Sequence, residues 1–177
     1  FRPLNMTDSS FSVSQEKAGR IAQPLDRASM FDPTIPALND LGGEGGLSTA
    51  SDYLRFCQML LNGGQLDGKR IVSRTTVALM ASDHLGTRPA TPVGPGEVLM
   101  GVPGYTFGLG FAVRTSPGLA GLPGSQGEYL WGGAGGTFFW VDPKEELAAV
   151  FMSQGPFPLR VHYRRLVKQL VHAAIAD

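Results

Sequence analysis

The chain has 177 residues, enough to bury a core, with 42% hydrophobic and 17% charged residues against a usual charged share of about a quarter. Fifteen Lys and Arg balance fifteen Asp and Glu, so no net positive field draws it to nucleic acid or to an anionic membrane surface. No apolar run approaches the roughly 18 residues of a membrane span, and the single cysteine, Cys57, excludes an internal disulfide and a Cys-based zinc site.

Residues 1–41 read as an irregular connector, broken by Pro3, Pro24, Pro33 and Pro36, with one helical turn near Glu16–Ala22. After a Gly-Gly-Glu-Gly-Gly run at 42–46, Thr49 and Asp52 form a plausible capping box. Tyr53, Phe56, Cys57, Leu60 and Leu61 then fall on one face of a helix that ends at Gly63-Gly64. Cys57 lies on that stripe, so it reads as a buried thiol acting as a small hydrophobe. Asp67-Gly68 marks a tight turn, and Ser73 caps a short helix carrying Val77, Met80 and Ala81. Residues 82–104 hold four prolines and five glycines and are expected to form a long functional loop.

From Tyr105 to Arg114 apolar residues alternate with others, which predicts one strand with a buried face. A Gly- and Pro-rich loop over 115–127 leads to strands at Glu128–Gly133 and Thr137–Val141. Asp142-Pro143-Lys144-Glu145 turns the chain into a last strand, Leu147–Ser153, in an antiparallel meander. The C-terminal helix places Tyr163, Leu166, Val167, Leu170, Val171, Ala174 and Ile175 on one stripe. Arg160, Arg164, Arg165, Lys168 and Gln169 lie outside it, so the stripe is expected to cover a sheet face. Helices, consecutive antiparallel strands and a covering helix make the fold α+β.

Most candidate motifs reduce to local structure. Gly63-x-x-x-x-Gly68-Lys69 has phosphate-loop spacing, but Arg70 replaces the magnesium-binding hydroxyl and a helix precedes it, so a hairpin turn is the better reading. Ser14-x-x-Lys17 has the spacing of a serine–lysine pair, yet its polar surroundings would not keep the lysine neutral. His84, His162 and His172 form no site by spacing, no Gly-x-Ser-x-Gly elbow exists, and Asn5-Met6-Thr7 matches a glycosylation sequon by pattern only. The informative stretch is Trp131-Gly132-Gly133-Ala134-Gly135-Gly136-Thr137 between two strands. A bulge or strand end would explain the glycines. A ligand-facing edge strand, with backbone amides aimed at an oxyanion, would also explain the adjoining indole and is preferred.

Several stretches together resemble the penicillin-binding and class C β-lactamase-like superfamily, especially its esterase branch, the family VIII carboxylesterases. They are Gly43-Glu44-Gly45-Gly46-Leu47-Ser48-Thr49-Ala50-Ser51-Asp52-Tyr53, Asn62-Gly63-Gly64 with Leu66-Asp67-Gly68-Lys69-Arg70, Tyr105 to Phe111, and Trp131 to Pro143. The resemblance implies a β-lactamase/transpeptidase-like α+β fold with an antiparallel sheet flanked by helices. Residues 1–177 would be the C-terminal portion of one such domain: 1–41 connector, 42–104 helices and loops, 105–177 strands plus the C-terminal helix. Family members carry Ser-x-x-Lys, then Tyr-x-Asn or Tyr-x-Ser, then Lys-Thr-Gly or, in the esterase branch, Trp-Gly-Gly.

Trp131-Gly132-Gly133 matches the third element, so the resemblance implies that these residues line the substrate and that the Ala134 backbone amide donates to the oxyanion. The first two elements have no believable match, since Tyr53, Tyr105, Tyr129 and Tyr163 lack Asn or Ser two residues later. An N-terminal fragment of the same protein, or a second chain carrying it, would therefore supply serine, lysine and tyrosine, and this chain alone would be inactive. Loops 42–48 and 82–104 would wall the cleft. An indole where a lysine would pair with a β-lactam carboxylate points to small neutral acyl esters as substrates. A β-lactamase, a D-amino-acid peptidase and a non-catalytic ligand-binding protein are the alternatives. No metal or organic cofactor is implied, and the compartment is left between bacterial cytoplasm and periplasm. A half of such a fold should expose the face that packs on the other part.

Overall fold

The computed structural model describes residues 1–24, 32, 34–35, 42–86, 93–155 and 159–176. Pro33, Pro36, Pro89 and Pro92 lie outside them, as do most of the expected connector beyond residue 24 and part of the 82–104 loop.

The first long helix, α1 (Ala50–Leu61), starts as its sequence predicts: Thr49 accepts from the Asp52 amide at 3.2 Å. The reciprocal half of the box is absent, because the Asp52 carboxylate instead accepts from the Asp8 amide and the Ser9 hydroxyl. That ties the N-terminal segment to the helix. Cys57 and Leu60 are buried, Tyr53, Phe56 and Leu61 pack beside them, and Met59 joins the core from next to the predicted stripe. Asp67 and Gly68 both take positive φ, the requirement of a two-residue I′ hairpin, here between β1 (Gln65–Leu66) and β2 (Lys69–Arg70). The phosphate-loop spacing is thus a hairpin. Ser73 caps α2 (Arg74–Met80) by accepting from the Thr76 amide.

Two expectations fail in the middle of the chain. The supposed loop holds a helix, α3 (Pro95–Met100), started by Pro95 at its first position and closed by Gly101 in the left-handed conformation. Proline there lacks an N–H that the first turn would leave unpaired anyway, so a proline of the expected loop is a helix start. Leu99 and Met100, in the last turn of α3, are buried. The single alternating strand over 105–114 is instead a hairpin of β3 (Tyr105–Phe107) and β4 (Ala112–Arg114), with Tyr105 opposite Arg114. The chain reverses because Gly110 takes a φ of +84° and Gly108 lies against the Met80 carbonyl, where a Cβ would come within 2.2 Å.

Strands β5 (Tyr129–Gly132), β6 (Phe138–Asp142) and β7 (Leu147–Phe151) complete an antiparallel meander in the order β3-β4-β5-β6-β7. Alternation sends Phe139, Val141, Ala148 and Val150 toward α1, and Phe138, Trp140, Leu147, Ala149 and Phe151 toward the other face. That second face is covered by α3 and the last helix, α4 (Leu159–Ala173).

The α4 orientation corrects the expected stripe. Arg164 and Lys168 are buried, while Tyr163, Leu166, Leu170 and Ile175 are exposed; only Val167 and Val171 of the stripe pack on the sheet. The charged face turns inward because partners wait there. Lys168 Nζ donates to Glu128 Oε2 at 2.6 Å, and Arg114 and the Tyr105 hydroxyl donate to Glu128 Oε1. Buried charges persist when paired and hydrogen-bonded in this way.

Candidate active site

The glycine-rich stretch begins inside β5 and leaves it as a tight turn. Tyr129 and Leu130 are flanked by β4 and β6, whereas Trp131 and Gly132 pair only with Phe139 and Phe138 of β6. The strand therefore becomes an edge only in its second half, at the residues singled out in the sequence. Gly133 donates to the Thr137 carbonyl at 2.9 Å and Gly136 to Gly133 at 3.1 Å, closing the turn.

Trp131 is half-buried, with its ring edge-on to Phe107 at 5.5 Å between centroids. Phe107 also accepts a backbone bond from His84, so residues 82–86 of the expected wall reach the rim through β3. The other expected wall, 42–48, is held to the N-terminal segment by the Ser10–Leu47 bridge. There Leu47 and Ser48 line a hollow of about 330 Å³ with Ser10, Lys17 and Arg20.

Two arginines of α4 hold the turn from one side. Arg164 donates to the carbonyls of Gly133 (2.6 Å), Thr137 (3.2 Å) and Leu99 (3.1 Å), linking β5, β6 and α3. Burial, with the Arg160 charge nearby, pulls its pKa down to about 10, which still leaves it charged at neutral pH. A Cβ on Gly132 would stand 2.7 Å from the Arg164 guanidinium carbon, and one on Gly133 would stand 2.3 Å from the Thr137 hydroxyl. On this side the glycines make room for the protein itself. Arg160 donates to the Ala134 carbonyl. Ala134 is exposed, and no described residue accepts from its N–H. The turn thus has a clamped carbonyl side and, at Ala134, an exposed amide with no acceptor among the described residues.

Sequence reasoning missed both arginines, because their task is set by residues about thirty positions away. Arg114, read as an outward residue of a strand, is likewise buried. It donates to the carbonyls of Ser116, Pro117, Leu122 and Pro123, which shapes the 115–127 loop.

Other candidates resolve differently. Lys17 Nζ lies 2.8 Å from Asp8, with Arg20 on the same carboxylate, and the two cations hold Asp8 well below the usual carboxylate range. That lysine is engaged as an ion-pair partner, and Ser14 precedes the 3₁₀ turn Gln15–Arg20, its carbonyl accepting from the Lys17 amide while its side chain makes no capping bond. His84 bonds the Leu79 carbonyl. His172 stacks on Trp140 and lies 3.1 Å from Lys168 Nζ. Burial and then the Lys168 charge lower its pKa, against the opposing pull of Glu128, Asp142 and Glu145. Glu128, Asp142 and His172 bring possible ligand atoms within 4.8 Å of one another. Lys168 Nζ already supplies the cation between Glu128 and His172. Burial pushes the Cys57 thiol up to about 12, so it stays protonated and inert as expected. No described helix is long and apolar enough to cross a membrane.

The chain is similar to several known proteins. Two curated proteins of Mycobacterium tuberculosis, Protein Rv1367c and Uncharacterized protein MT1414, are each 37% identical over 169 residues, covering 86% of this chain and 40% of their own length. Simvastatin synthase (LovD) from Aspergillus terreus superposes with a TM-score of 0.75 at 21% identity, over 99% of this chain and 48% of that one. EstCE1, described as a hydrolase with promiscuous acyltransferase activity, superposes at 0.70 and 22% identity, over 97% and 48%. The chain thus spans less than half the length of these relatives, and the structural likenesses speak for the fold. The Beta-lactamase family pattern matches residues 1–173, and the chain belongs to that family, with its hydrolase fold.

Proposed function

We propose that the complete protein is a serine esterase that cleaves small acyl esters through an acyl-enzyme. In this reading the nucleophilic serine, with a lysine and a tyrosine to move its proton, comes from a part of the polypeptide outside these residues. The serine oxygen attacks the ester carbonyl, the alcohol leaves with a proton, and water then releases the acid. This chain contributes Trp131, Gly132 and Gly133 as the substrate wall and the Ala134 amide as one oxyanion donor.

The observation that carries the reading is the exposed Ala134 N–H, which has no acceptor among the described residues, in a turn whose carbonyls are pinned by Arg160 and Arg164. Such a turn needs little reorganisation when negative charge develops opposite the amide. The ester preference has its own support. The position of the family's lysine holds Trp131, and the neighbouring Arg164 donates to backbone carbonyls rather than presenting itself to a substrate carboxylate. EstCE1, a hydrolase with promiscuous acyltransferase activity, is in keeping with acyl chemistry.

The test is hydrolysis of a short-chain nitrophenyl ester by the full-length product of the gene, with nitrocefin assayed in parallel. Ester turnover by the full-length protein, and none by the 177-residue chain, is expected. Nitrocefin turnover without ester turnover would transfer the assignment to a β-lactamase, and binding without turnover would make it a ligand-binding protein.

A further inference from the structure

We infer that Arg164 is a positioning residue for the oxyanion donor: it aims and polarises the Ala134 N–H by holding the other end of the same peptide group, the Gly133 carbonyl. The inference rests on the proposed assignment of that amide to the oxyanion, and adds the device that prepares it.

A trans peptide group is planar, with its C=O and its N–H pointing in opposite directions. The Gly133 carbonyl and the Ala134 N–H belong to one such group, so whatever fixes the direction of the first fixes the second. Arg164 Nη2 donates to the Gly133 oxygen at 2.6 Å, and the Gly136 amide donates to it at 3.1 Å. The following carbonyls of the turn are also taken, Ala134 by Arg160 and Gly135 by the Gly155 amide at 2.8 Å. The exposed Ala134 N–H has no acceptor among the described residues.

A cation on a carbonyl oxygen does more than orient the group. It draws electron density through the C–N bond, whose partial double-bond character couples the two ends, and leaves the N–H a stronger donor. Arg164 is suited to this because it is buried, where water screens it little, and keeps its charge at neutral pH. A neutral donor such as the Gly136 amide supplies direction with less polarisation.

The guanidinium is itself held from several elements. Its Nη1 donates to the Leu99 carbonyl of α3 at 3.1 Å, its Nη2 also reaches the Thr137 carbonyl at 3.2 Å, and its carbon lies 5.8 Å from the centre of the Phe138 ring. One helical turn on, Lys168 is tied to Glu128, which opposes any rotation of α4 that would withdraw Arg164. Gly132 is coupled to the same contact. A Cβ there would stand 2.7 Å from the guanidinium carbon and would displace it from the Gly133 oxygen.

The test reads the amide itself by hydrogen exchange in the full-length gene product, beside kcat and KM for the nitrophenyl ester. Base-catalysed exchange passes through a peptide anion with its charge on the carbonyl oxygen, so a cation donating to that oxygen speeds it. Arg164→Met keeps the side-chain length and removes the cation, whereas Gly132→Ala keeps the cation and pushes it away. Each should slow Ala134 exchange about 10-fold, the effect of roughly one pKa unit on the peptide. Arg164→Met should also lower kcat about 10-fold with KM nearly unchanged, since the donor acts as charge develops. Arg164→Lys restores a cation and should recover part of both losses, and Arg165→Met, exposed on the same helix, should change neither. In the unaltered protein, where no variant has to fold, the Ala134 amide should exchange at least as fast as a Gly-Ala amide in an unstructured peptide. Slower exchange there, an unchanged rate in Arg164→Met and Gly132→Ala, equal effects from Arg165→Met, or an activity loss carried by KM alone would overturn the inference. If the unaltered protein hydrolyses no ester, the proposed function fails, and the exchange rates still decide whether Arg164 governs this amide.

Discussion

Helices α1 and α4 lie on opposite faces of one sheet and look alike in sequence, each with an apolar stripe at helical spacing, yet they use it in opposite ways. α1 turns Cys57 and Leu60 onto the sheet and takes Phe139, Val141 and Val150 as partners. α4 turns Arg164 and Lys168 inward and its leucines outward. Periodicity thus tells that a helix has two faces but not which of them meets the sheet. The choice depends on the chemistry of the sheet beneath. Under α1 that surface is apolar. Under α4 it presents Glu128, whose second oxygen has no other donor among the described residues, and the lysine that reaches it decides the rotation.

The sharpest break of that comparison is removal of Glu128. Glu128→Ala leaves Lys168 and Arg114 buried without their shared carboxylate and is expected to cost about 3–5 kcal/mol, measured by urea unfolding of the chain. A loss near that of a surface change would mean that the buried charges do not set how α4 sits. Next in size is a matched pair of leucines. Leu60→Ala on the inner face of α1 should cost about 2–5 kcal/mol, and Leu170→Ala on α4, 61% exposed, should stay within about 0.5 kcal/mol in the 177-residue chain. Comparable losses at the two positions would erase the distinction between the helices.

The smallest expected effect is a pH dependence at the end of α4. His172 is held below its ordinary value by burial and by Lys168. Below about pH 6.5 the unfolded chain therefore takes up a proton that the folded one resists, and stability falls as the pH drops through that range. His172→Gln should flatten this part of the profile between pH 7 and about 5. A profile unchanged by the substitution would show that another group carries it.

The same contrast explains what the sequence revealed. Features fixed by neighbours in the chain were legible: the Thr49 cap, the Asp67-Gly68 hairpin, the α1 stripe and the three last strands. Features fixed at a distance were not. The alternation over Tyr105–Arg114 is real on both limbs of the hairpin, but the reversal depends on Gly108 pressing on Met80. Pro95 begins a helix only because Leu99 and Met100 find a core to enter. At the candidate site, the glycine run beside Trp131 marked the turn at which β5 leaves the sheet. The arginines that pin it gave no signal, since Arg160 and Arg164 read as the solvent face of an amphipathic helix.

The exposed Ala134 amide is the point on which the functional account turns. Ala134→Pro removes that N–H, and its kcat for a short-chain nitrophenyl ester can be compared with that of the unaltered full-length protein at matched Tm. A fall of about 10²- to 10³-fold is expected for loss of one oxyanion donor; a proline variant that hydrolyses the ester at the original rate would contradict the account.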